Sequence, residues 1–281
     1  MSTSYQDRVW FITGCSSGFG KILAEELLQE GYRVAATARN LESLEVLKKK
    51  APKPDQLLCL RLDVTRDNHI HAAVTEAIKV FGHIDVLVNN AGYGILGAHE
   101  EVNAQEIFKI FDTNVFGLFE VTRAILPFMR KQKSGHIINI SSIGGLVSSP
   151  ALGIYNATKF AVEGHSEALA QEVAPFGIKV TIVEPGPFRT NFLSSSLVTA
   201  PEMSEYDEAI GKVRAHYHSL EGKQTGDPVK AAKAIITIAE TETPPLRLLL
   251  GKIAYSRIEQ KMETLSKELK AWEKLGKETD F

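Results

Sequence analysis

Cysteine is scarce in this sequence, and its scarcity excludes several classes of protein. The 281 residues include only Cys15 and Cys59. Two cysteines cannot form a disulfide framework, and these two lack the paired spacing of a zinc site. No cluster of His, Cys and carboxylate side chains accompanies His83 or His136, which are expected at the surface or in caps, so we predict no metal site. Both thiols are expected to be free, and the predicted location is the cytoplasm.

Long hydrophobic runs and a large excess of one charge are also absent. No apolar run approaches the roughly 20 residues that would span a bilayer. Residues Met1 to Arg8 lack the basic, apolar and small-residue regions of a leader. The 32 basic and 34 acidic residues give a formal net charge of -2, so no strong field attracts phosphate backbones or an anionic membrane. We therefore expect neither nucleic acid nor membrane as a partner.

Two kinds of apolar segment alternate along the chain. Short β-branched and aromatic runs alternate with longer stretches of helical period, which is typical of βαβ units on a parallel sheet. The candidate strands are Val9 to Thr13, Arg33 to Ala38, Gln56 to Leu62, Ile84 to Val88, His136 to Ile140, Lys179 to Val183 and Leu246 to Leu250. The candidate helices are Gly18 to Glu30, Leu41 to Lys50, Asp67 to Phe81, Ala104 to Lys131, Tyr155 to Ala174 and Pro228 to Ala239. We predict one α/β domain over 1–281, a Rossmann-type doubly wound parallel sheet of about seven strands with helices on both faces.

Three segments lie outside this regular pattern or extend it. Residues 191–226 contain a serine run, Pro201 and mixed charge, so we predict a loop region with short helical pieces that contributes to substrate specificity. Residues 254–281 form a predicted helical extension. Its apolar stripe is expected to dock on the body of the protein; the stripe consists of Ile258, Met262, Leu265, Leu269 and Trp272. The long helix Ala104 to Lys131 has a broad apolar face that serves either the core or a subunit contact.

A glycine-rich turn follows the first predicted strand. It reads Thr13-Gly14-Cys15-Ser16-Ser17-Gly18-Phe19-Gly20 and runs directly into a predicted helix. Glycine lets the backbone approach a pyrophosphate, and the unsatisfied N–H groups of a helix N-terminus favour its negative charge. The spacing G-x-x-x-G-x-G differs from the common G-x-G-x-x-G fingerprint, but its position between strand and helix predicts a dinucleotide site.

The end of the second predicted strand indicates which dinucleotide. A fold that prefers NAD usually places Asp or Glu here, where the carboxylate accepts hydrogen bonds from the ribose hydroxyls. This chain has Ala38-Arg39-Asn40, with no acid before Glu42. The guanidinium of Arg39 is a charged, multidentate donor that suits a 2′-phosphate. We therefore predict NADP(H) as the cofactor, although Arg39 is also compatible with an ordinary solvated position before a helix.

The order and spacing of these and later motifs resemble the short-chain dehydrogenase/reductase family in its single-domain form. The resemblance spans roughly Arg8 to Thr190 and rests on the glycine turn, Asp63-Val64, Asn89-Asn90-Ala91-Gly92, Asn114, Ser142, Tyr155-Asn156-Ala157-Thr158-Lys159 and Pro185-Gly186. It implies cofactor contacts from Gly14, Ser16, Ser17, Gly18, Phe19, Gly20, Arg39, Asp63, Val64, Asn90, Ala91, Gly92, Tyr155, Lys159, Pro185, Gly186, Phe188 and Thr190. It also implies that Asn89 helps to form the cofactor wall.

Tyr155 and Lys159 are the candidate catalytic pair. They are four residues apart and therefore share one face of a helix. A phenol has a pKa of about 10, too high for a ready base at neutral pH, and a nearby ammonium lowers it. Tyr155 is then expected to exchange a proton with the oxygen of an alcohol or carbonyl substrate while hydride moves to or from a nicotinamide. The resemblance implies that Ser142 hydrogen-bonds the reacting oxygen and that Asn114 orders a water beside Lys159.

The substrate and the assembly are less determined by sequence. Arg39 and the segments around Ser142 and Lys159 look most like the branch with hydroxysteroid and retinol dehydrogenases, which implies a hydrophobic alcohol or carbonyl substrate. Phe188, Phe192, Leu193 and Leu197 are candidates to line its pocket or to anchor a loop. The resemblance also implies a homodimer or homotetramer.

The sequence is also compatible with other functions. One is a regulatory protein that binds NADP without turnover; another is an epimerase or dehydratase, which usually needs a larger C-terminal domain than this chain has. Glu184 precedes Pro185 and is expected either at the rim of the active site or as a satisfied carboxylate at a strand end.

Overall fold

A computed structural model of the chain describes residues 7–281. The strands are β1 (Val9–Ile12), β2 (Arg33–Ala38), β3 (Leu57–Arg61), β4 (Val86–Asn89), β5 (Gly94–Leu96), β6 (Gly135–Ile140), β7 (Ile178–Pro185), β8 (Leu197–Thr199) and β9 (Arg247–Leu250). The α-helices are α1 (Gly18–Glu30), α2 (Glu45–Lys50), α3 (Asp67–Phe81), α4 (Ala104–Phe111), α5 (Gly117–Gln132), α6 (Gly153–Val173), α7 (Phe192–Ser195), α8 (Asp207–Ser219), α9 (Pro228–Glu240) and α10 (Lys252–Lys277).

Seven strands form one parallel sheet with helices on both faces. The strand order is β3-β2-β1-β4-β6-β7-β9. Alternate side chains of β1 enter different cores: Trp10 and Ile12 face one apolar cluster, whereas Val9 and Phe11 face the other. The period of two residues along a strand explains this division, and two covered faces explain why β1 is apolar throughout. The predicted fold class is confirmed.

The sheet order creates a crevice at the carboxyl end of β1. From β1 the chain builds outward through β2 to β3, then returns to place β4 on the other side of β1. The connections after β1 and β4 therefore leave in opposite directions, which opens a ligand-binding crevice at this edge of a parallel sheet. The glycine turn lies at this point.

The structure corrects the predicted helices in two places. The long helix Ala104 to Lys131 is interrupted by a π-helical turn, Asp112–Phe116, between α4 and α5. The segment Leu41 to Lys50 begins as a 3-10 turn, Leu41–Leu44, before α2. Both differences are local changes of hydrogen-bond spacing, which apolar periodicity does not resolve.

The predicted loop region 191–226 holds more regular structure than the sequence indicated. It contains the full helix α8, and β8 pairs with β5 in a separate two-stranded parallel sheet. Two of the three residues of β8 are exposed, so its sequence lacks the apolar run that marks a core strand. A strand as short as β8 forms because it pairs with β5, which is distant in the sequence.

Two further expectations are wrong. His136 is buried rather than superficial, and its Nε2 lies 2.9 Å from Thr181 Oγ1. The apolar stripe of α10 does not dock on the body of the protein, because Met262, Leu269 and Trp272 are exposed. By contrast, His83 is partly exposed beside Asp85, with 3.1 Å between Nε2 and Oδ2.

The helices and the potential metal ligands of residues 7–281 bear on possible partners. None of their helices combines the length and apolar character that a membrane crossing requires. Across the same residues, no three His, Cys, Asp or Glu side chains are grouped as metal ligands.

Candidate functional site

The glycine turn joins β1 to α1 at the crevice. Gly14 and Gly18 have φ angles of 73° and 59°, in the left-handed region that glycine adopts without strain. A Cβ on Gly14 would lie 3.0 Å from Ala91 Cα, whereas one on Gly18 would meet nothing within 4 Å and would project into open space. The first turn of α1 has no acidic residue and no side-chain cap from Ser17, so its backbone N–H groups face the crevice without a protein acceptor from these sources.

The end of β4 is joined to the same turn by hydrogen bonds. Asn90 Nδ2 donates to Thr13 O (2.9 Å) and Gly14 O (3.0 Å), and Thr13 Oγ1 accepts from the backbone N–H groups of Asn90 and Ala91. These bonds fix the floor of the crevice. Asn89 instead points into the core, where its Nδ2 donates to Thr122 Oγ1 and Asn139 Oδ1, both at 2.9 Å. Asn89 therefore stabilises the core beneath the site and does not line the crevice.

A positive charge stands beside the crevice at the ends of β2 and β3. Arg39 follows β2 and is exposed. Burial opposes ionisation of Asp63, but hydrogen bonds from Thr65 N (3.0 Å) and Thr65 Oγ1 (2.8 Å), together with the charge of Arg39, leave the pKa of Asp63 lowered. Val64 is buried against α5, where a Cβ on Gly117 would lie 2.7 Å from Val64 Cγ2.

Tyr155 and Lys159 lie side by side on α6, and both are buried. Lys159 Nζ is 5.8 Å from the centroid of the Tyr155 ring and donates to Ile140 O at 2.8 Å. Burial raises the pKa of Tyr155 to about 12, which a hydrogen bond with Ser142 partly offsets. Burial lowers the pKa of Lys159 to about 8, and the charge of Glu163 opposes that change. The sequence predicted that the Lys159 ammonium lowers the pKa of Tyr155. Instead the pKa of Tyr155 is raised, because desolvation is the largest effect on both groups.

Ser142 and Asn114 complete the group around this pair. Ser142 follows β6, and its Oγ accepts a hydrogen bond from Gly144 N at 2.9 Å. Asn114 lies in the π-helical turn, where its Oδ1 accepts from Tyr93 N and its Nδ2 donates to Tyr93 O and Thr158 Oγ1. Gly92 keeps the space between them open, since a Cβ there would lie 3.0 Å from Asn114 Oδ1 and 3.8 Å from Lys159 Nζ.

The end of β7 closes the crevice on the side of the glycine turn. Gly186 N donates to Leu250 O at 2.9 Å, which ties the segment after Pro185 to β9. Phe188 packs edge-on against Phe19, with 5.3 Å between ring centroids. Thr190 N donates to Phe188 O at 2.8 Å. Phe188 therefore packs against the glycine turn rather than beside Tyr155.

An apolar wall stands next to Tyr155. The ring of Phe192 lies 5.8 Å from that of Tyr155, between centroids, and both belong to a cluster with Ile95 and Ile110. Gly94 in β5 allows this packing, because a Cβ there would lie 2.8 Å from Leu197 Cδ1 and 2.9 Å from Phe192 Cζ. The sequence predicted four candidate pocket residues, Phe188, Phe192, Leu193 and Leu197. Phe192 and Leu197 lie at the apolar wall beside Tyr155, and Leu193 is partly exposed on α7.

The structure also places two buried charge clusters that the sequence did not predict. Glu184 and Glu163 lie behind the site, with their carboxylates 3.5 and 3.4 Å from Arg247 Nε. Glu184 is fully buried, so it does not stand at an exposed rim of the site. Glu101 binds the guanidinium of Arg214 on α8 and accepts from Met203 N at 2.8 Å. No local signal marks these pairs, because their members are distant in sequence.

Comparisons with known proteins agree with this arrangement. Residues 8–199 match the short chain dehydrogenase family. The chain is 38% identical over 269 residues to an oxidoreductase of Botryotinia fuckeliana, covering 96% of this chain and 98% of the relative. It is 40% identical over 249 residues to the 3-ketodihydrosphingosine reductase of Bacteroides thetaiotaomicron, covering 88% and 89%.

Solved structures give the same result. A short-chain dehydrogenase from Streptomyces avermitilis superimposes with a TM-score of 0.91 and 44% identity, covering 98% of this chain and 99% of that one. ElxO with NADP bound has a TM-score of 0.71 and 29% identity, covering 86% and 96%. A 3-ketoacyl-(acyl-carrier-protein) reductase from Brucella melitensis, complexed with NADH, has a TM-score of 0.74 and 27% identity, covering 88% and 98%. The chain belongs to the short-chain dehydrogenase family and is an oxidoreductase with a fold that binds a nicotinamide cofactor.

Proposed function

We propose that this oxidoreductase uses NADP(H) to interconvert an alcohol with a ketone or aldehyde, with Tyr155 as general acid and base. The observation that carries the proposal is the convergence of Tyr155, Lys159 and Ser142, from α6 and the end of β6, at the mouth of the crevice. A regulatory protein that only binds the cofactor would have no use for this buried phenol and amine.

The crevice suits a dinucleotide on its own geometry. Gly18 leaves open space, and the uncapped start of α1 offers N–H donors for a pyrophosphate. Gly14, Ser16, Ser17, Phe19 and Gly20 would surround that group. At the adenosine end, Asp63 and Val64 would contact the adenine side and the exposed guanidinium of Arg39 would bind a 2′-phosphate.

The other wall suits the nicotinamide end of the cofactor. Asn90, Ala91 and Gly92 form the floor beside Lys159, and Pro185, Gly186, Phe188 and Thr190 form the facing side. When bound, the nicotinamide supplies or accepts the hydride.

The residues of the chain handle the proton. In reduction, Tyr155 donates its phenolic proton to the carbonyl oxygen as the carbon gains hydride, and in oxidation it removes the proton from the alcohol. Ser142 hydrogen-bonds that oxygen while charge develops on it. Lys159, as an ammonium, stabilises the phenolate that reduction leaves behind, and Asn114 Oδ1 borders the same space over Gly92, where a water can return a proton.

The wall beside Tyr155 supports an apolar substrate. Phe192, Ile95 and Ile110 would contact the substrate or support the surface that does, and residues 191–226 would cover it. An apolar alcohol or carbonyl compound fits such a wall better than a charged one, because apolar burial is favourable and polar burial needs partners. A substrate panel in which only small polar carbonyls turn over would contradict this part of the proposal.

Replacement of the phenol tests the chemistry. Tyr155→Phe removes only the hydroxyl, so we expect kcat to fall by about 100-fold or more while NADPH binding, measured by its fluorescence, stays near wild type. Unchanged turnover in this variant would exclude Tyr155 as the acid and base.

Replacement of the guanidinium tests the cofactor. Arg39→Asp removes a donor to the 2′-phosphate and adds a repulsive charge, so we expect the Kd of NADPH to rise roughly tenfold to a hundredfold, with little change for NADH. Equal effects on both cofactors would contradict the preference for NADP(H).

The proposal also includes a cytoplasmic homodimer or homotetramer. Phe108 on α4 and Phe116 in the π-helical turn are large apolar residues with exposed side chains, which supports a contact with another copy. A monomeric mass by light scattering at micromolar concentration would contradict the assembly, and fractionation of cells would test the location.

A further inference from the structure

Helix α10 extends away from the body of the protein. Of its 26 residues only Ala254 is buried, and every residue from Glu259 onward is exposed. Its base is held by Arg257, whose Nη2 donates to Val147 O at 3.0 Å and Ser149 Oγ at 2.9 Å. Helices of globular proteins gain most of their stability from packing an apolar face, so a helix that is exposed from Glu259 onward needs another explanation.

The exposed surface of α10 carries a regular apolar seam. The exposed fractions of Met262, Leu265, Leu269 and Trp272 are 64%, 43%, 65% and 69%. With Tyr255 and Ile258 they recur at alternating spacings of three and four residues. This is the heptad spacing of a two-helix coiled coil, with Tyr255, Met262 and Leu269 at a positions and the other three at d positions.

We propose that this seam packs against the same seam of a second copy of the chain, with the two helices antiparallel. In antiparallel pairs each a residue faces a d residue of the other helix. A two-fold axis between Glu263 and Thr264 sets Met262 opposite Leu265 of the partner subunit. The same axis sets Ile258 opposite Leu269 of the partner subunit and Tyr255 opposite Trp272 of the partner subunit. All six seam residues are then covered in one register.

The charges beside the seam agree with the antiparallel register. In this pairing Lys261 faces Glu268 of the partner subunit, and Lys252 faces Glu273 of the partner subunit, so opposite charges meet at both ends. A parallel pairing would instead set Glu268 against Glu273 of the partner subunit, which is repulsive. Charge complementarity therefore favours a second copy of α10 as the partner and an antiparallel direction of the two helices.

A membrane surface fits α10 less well. Helices that lie on membranes carry a broad apolar face and a strongly basic polar face. The seam of α10 is narrow, and its polar face alternates acid and base, as in the ion pairs Glu263–Lys267 (2.6 Å) and Glu273–Lys277 (2.5 Å).

Sedimentation of the full chain tests the contact. We expect Leu265→Glu with Leu269→Glu to halve the mass over a concentration range in which the wild-type chain is assembled. The control Thr264→Glu adds a charge on the polar side of the same turn and is expected to keep the wild-type mass. An unchanged mass in the double variant would overturn the proposal, whatever the enzymatic activity of the protein.

Charge reversal tests the direction. Glu268→Lys is expected to weaken association at least tenfold, and adding Lys261→Glu is expected to restore it, because the pair is then exchanged. A parallel pairing predicts the opposite, since Glu268→Lys would meet Glu273 of the partner subunit and tighten the contact. Tighter association in Glu268→Lys would overturn the antiparallel pairing.

Cross-linking and vesicles supply two independent measurements. Mixed chains carrying Lys261→Cys and Glu268→Cys should form a disulfide-linked dimer, whereas either variant alone should form much less. Flotation with phosphatidylglycerol–phosphatidylcholine vesicles should leave the wild-type chain unbound. Binding to vesicles that is lost in the Leu265→Glu, Leu269→Glu variant, without a change in mass, would assign the seam to lipid and overturn the proposal.

Discussion

At the scale of single residues, burial sets the ionisation of the candidate site. Lys159 and Tyr155 lie in an environment that disfavours both charged forms, so the pKa of the amine falls to about 8 and that of the phenol rises to about 12. Glu163, one helical turn after Lys159, works against the first of these changes. The charge of Glu163 therefore partly offsets the effect of burial on the pKa of Lys159.

Glu163→Gln is expected to lower the pKa of Lys159 further, because the variant removes the negative charge that favours the ammonium. If NADPH binding needs that ammonium, kcat/KM for NADPH falls as pH rises through the pKa of Lys159, and in Glu163→Gln this fall shifts to lower pH. Glu172→Gln, further along α6 and exposed, is the matched control and should keep the wild-type profile. A Glu163→Gln profile identical to wild type would contradict the coupling.

Glu184 is expected to make stability depend on pH. Burial and the charge of Glu163 raise the pKa of Glu184, and the charge of Arg247, whose Nε lies 3.5 Å from Glu184 Oε1, opposes that change. The pKa of Glu184 is higher in the folded chain than in the unfolded chain. Folding therefore takes up a proton at pH values above the ordinary carboxyl pKa. The stabilisation is complete below that ordinary pKa and is lost as pH rises toward the pKa of the folded state.

Glu184→Gln removes this proton requirement. We expect its Tm to fall less than that of the wild type between pH 6 and pH 8.5, by roughly 3 °C or more, measured by thermal unfolding. Glu172→Gln, exposed near the end of α6, should behave as wild type. If the Tm of Glu184→Gln and that of the wild type fell equally between pH 6 and pH 8.5, the Glu184–Glu163 pair would carry no extra proton in this range.

At the scale of elements, the segment after β7 is organised by one buried ion pair. Arg214 on α8 binds Glu101, which also accepts hydrogen bonds from Ala98 N and Met203 N. The carboxylate stays ionised although burial opposes it, since Arg214 and the two backbone donors lower its pKa. The pair holds α8 beside the apolar wall at Tyr155.

Arg214→Met is expected to detach α8, because it leaves the Glu101 carboxylate buried without its cation, at a cost of about 3–5 kcal/mol. Hydrogen exchange of the amides in 207–219 should accelerate strongly, and the KM for apolar substrates should rise. Lys212→Met, exposed on the same helix, should leave exchange unchanged. Normal protection of α8 in Arg214→Met would show that packing alone holds the helix.

The sequence predicted the seven core strands and most helices because the strands are short apolar runs and the helices repeat an apolar pattern over several turns. It failed at α8, β8 and the π-helical turn for different physical reasons. Helix α8 buries only Ile210 and Arg214, so its apolar period is weak. Strand β8 depends on its pairing with β5. The π-helical turn carries Asn114, whose side chain hydrogen-bonds Tyr93 and Thr158, and no periodicity marks such contacts.

At the scale of the whole molecule, the two thiols report on different levels of unfolding. Cys15 is buried in the core, its N–H donates to Thr37 O, and burial raises its pKa to about 12. Cys59 is only partly buried on β3, near the sheet edge, and burial raises its pKa as well. Thiolates, not thiols, are the reactive form.

We expect an alkylating reagent to modify Cys59 slowly in the native chain and Cys15 only after global unfolding. Mass spectrometry across a denaturant series should show one modification before the unfolding transition and two after it. In Cys59→Ser the native chain should stay unmodified. Modification of Cys15 at the rate of Cys59 under native conditions would reveal a local opening between β1 and β2.

The sequence by itself determined the doubly wound sheet, the glycine turn and the order of the site motifs, because these depend on local periodicity and on residues only a few positions apart. The tertiary structure decided what required distant residues to meet. It placed Phe192 beside Tyr155, paired Arg214 with Glu101, and buried Glu184 against Glu163. It also reversed the expected pKa change of Tyr155 and left the stripe of α10 exposed, since desolvation and docking depend on the whole fold rather than on any one segment.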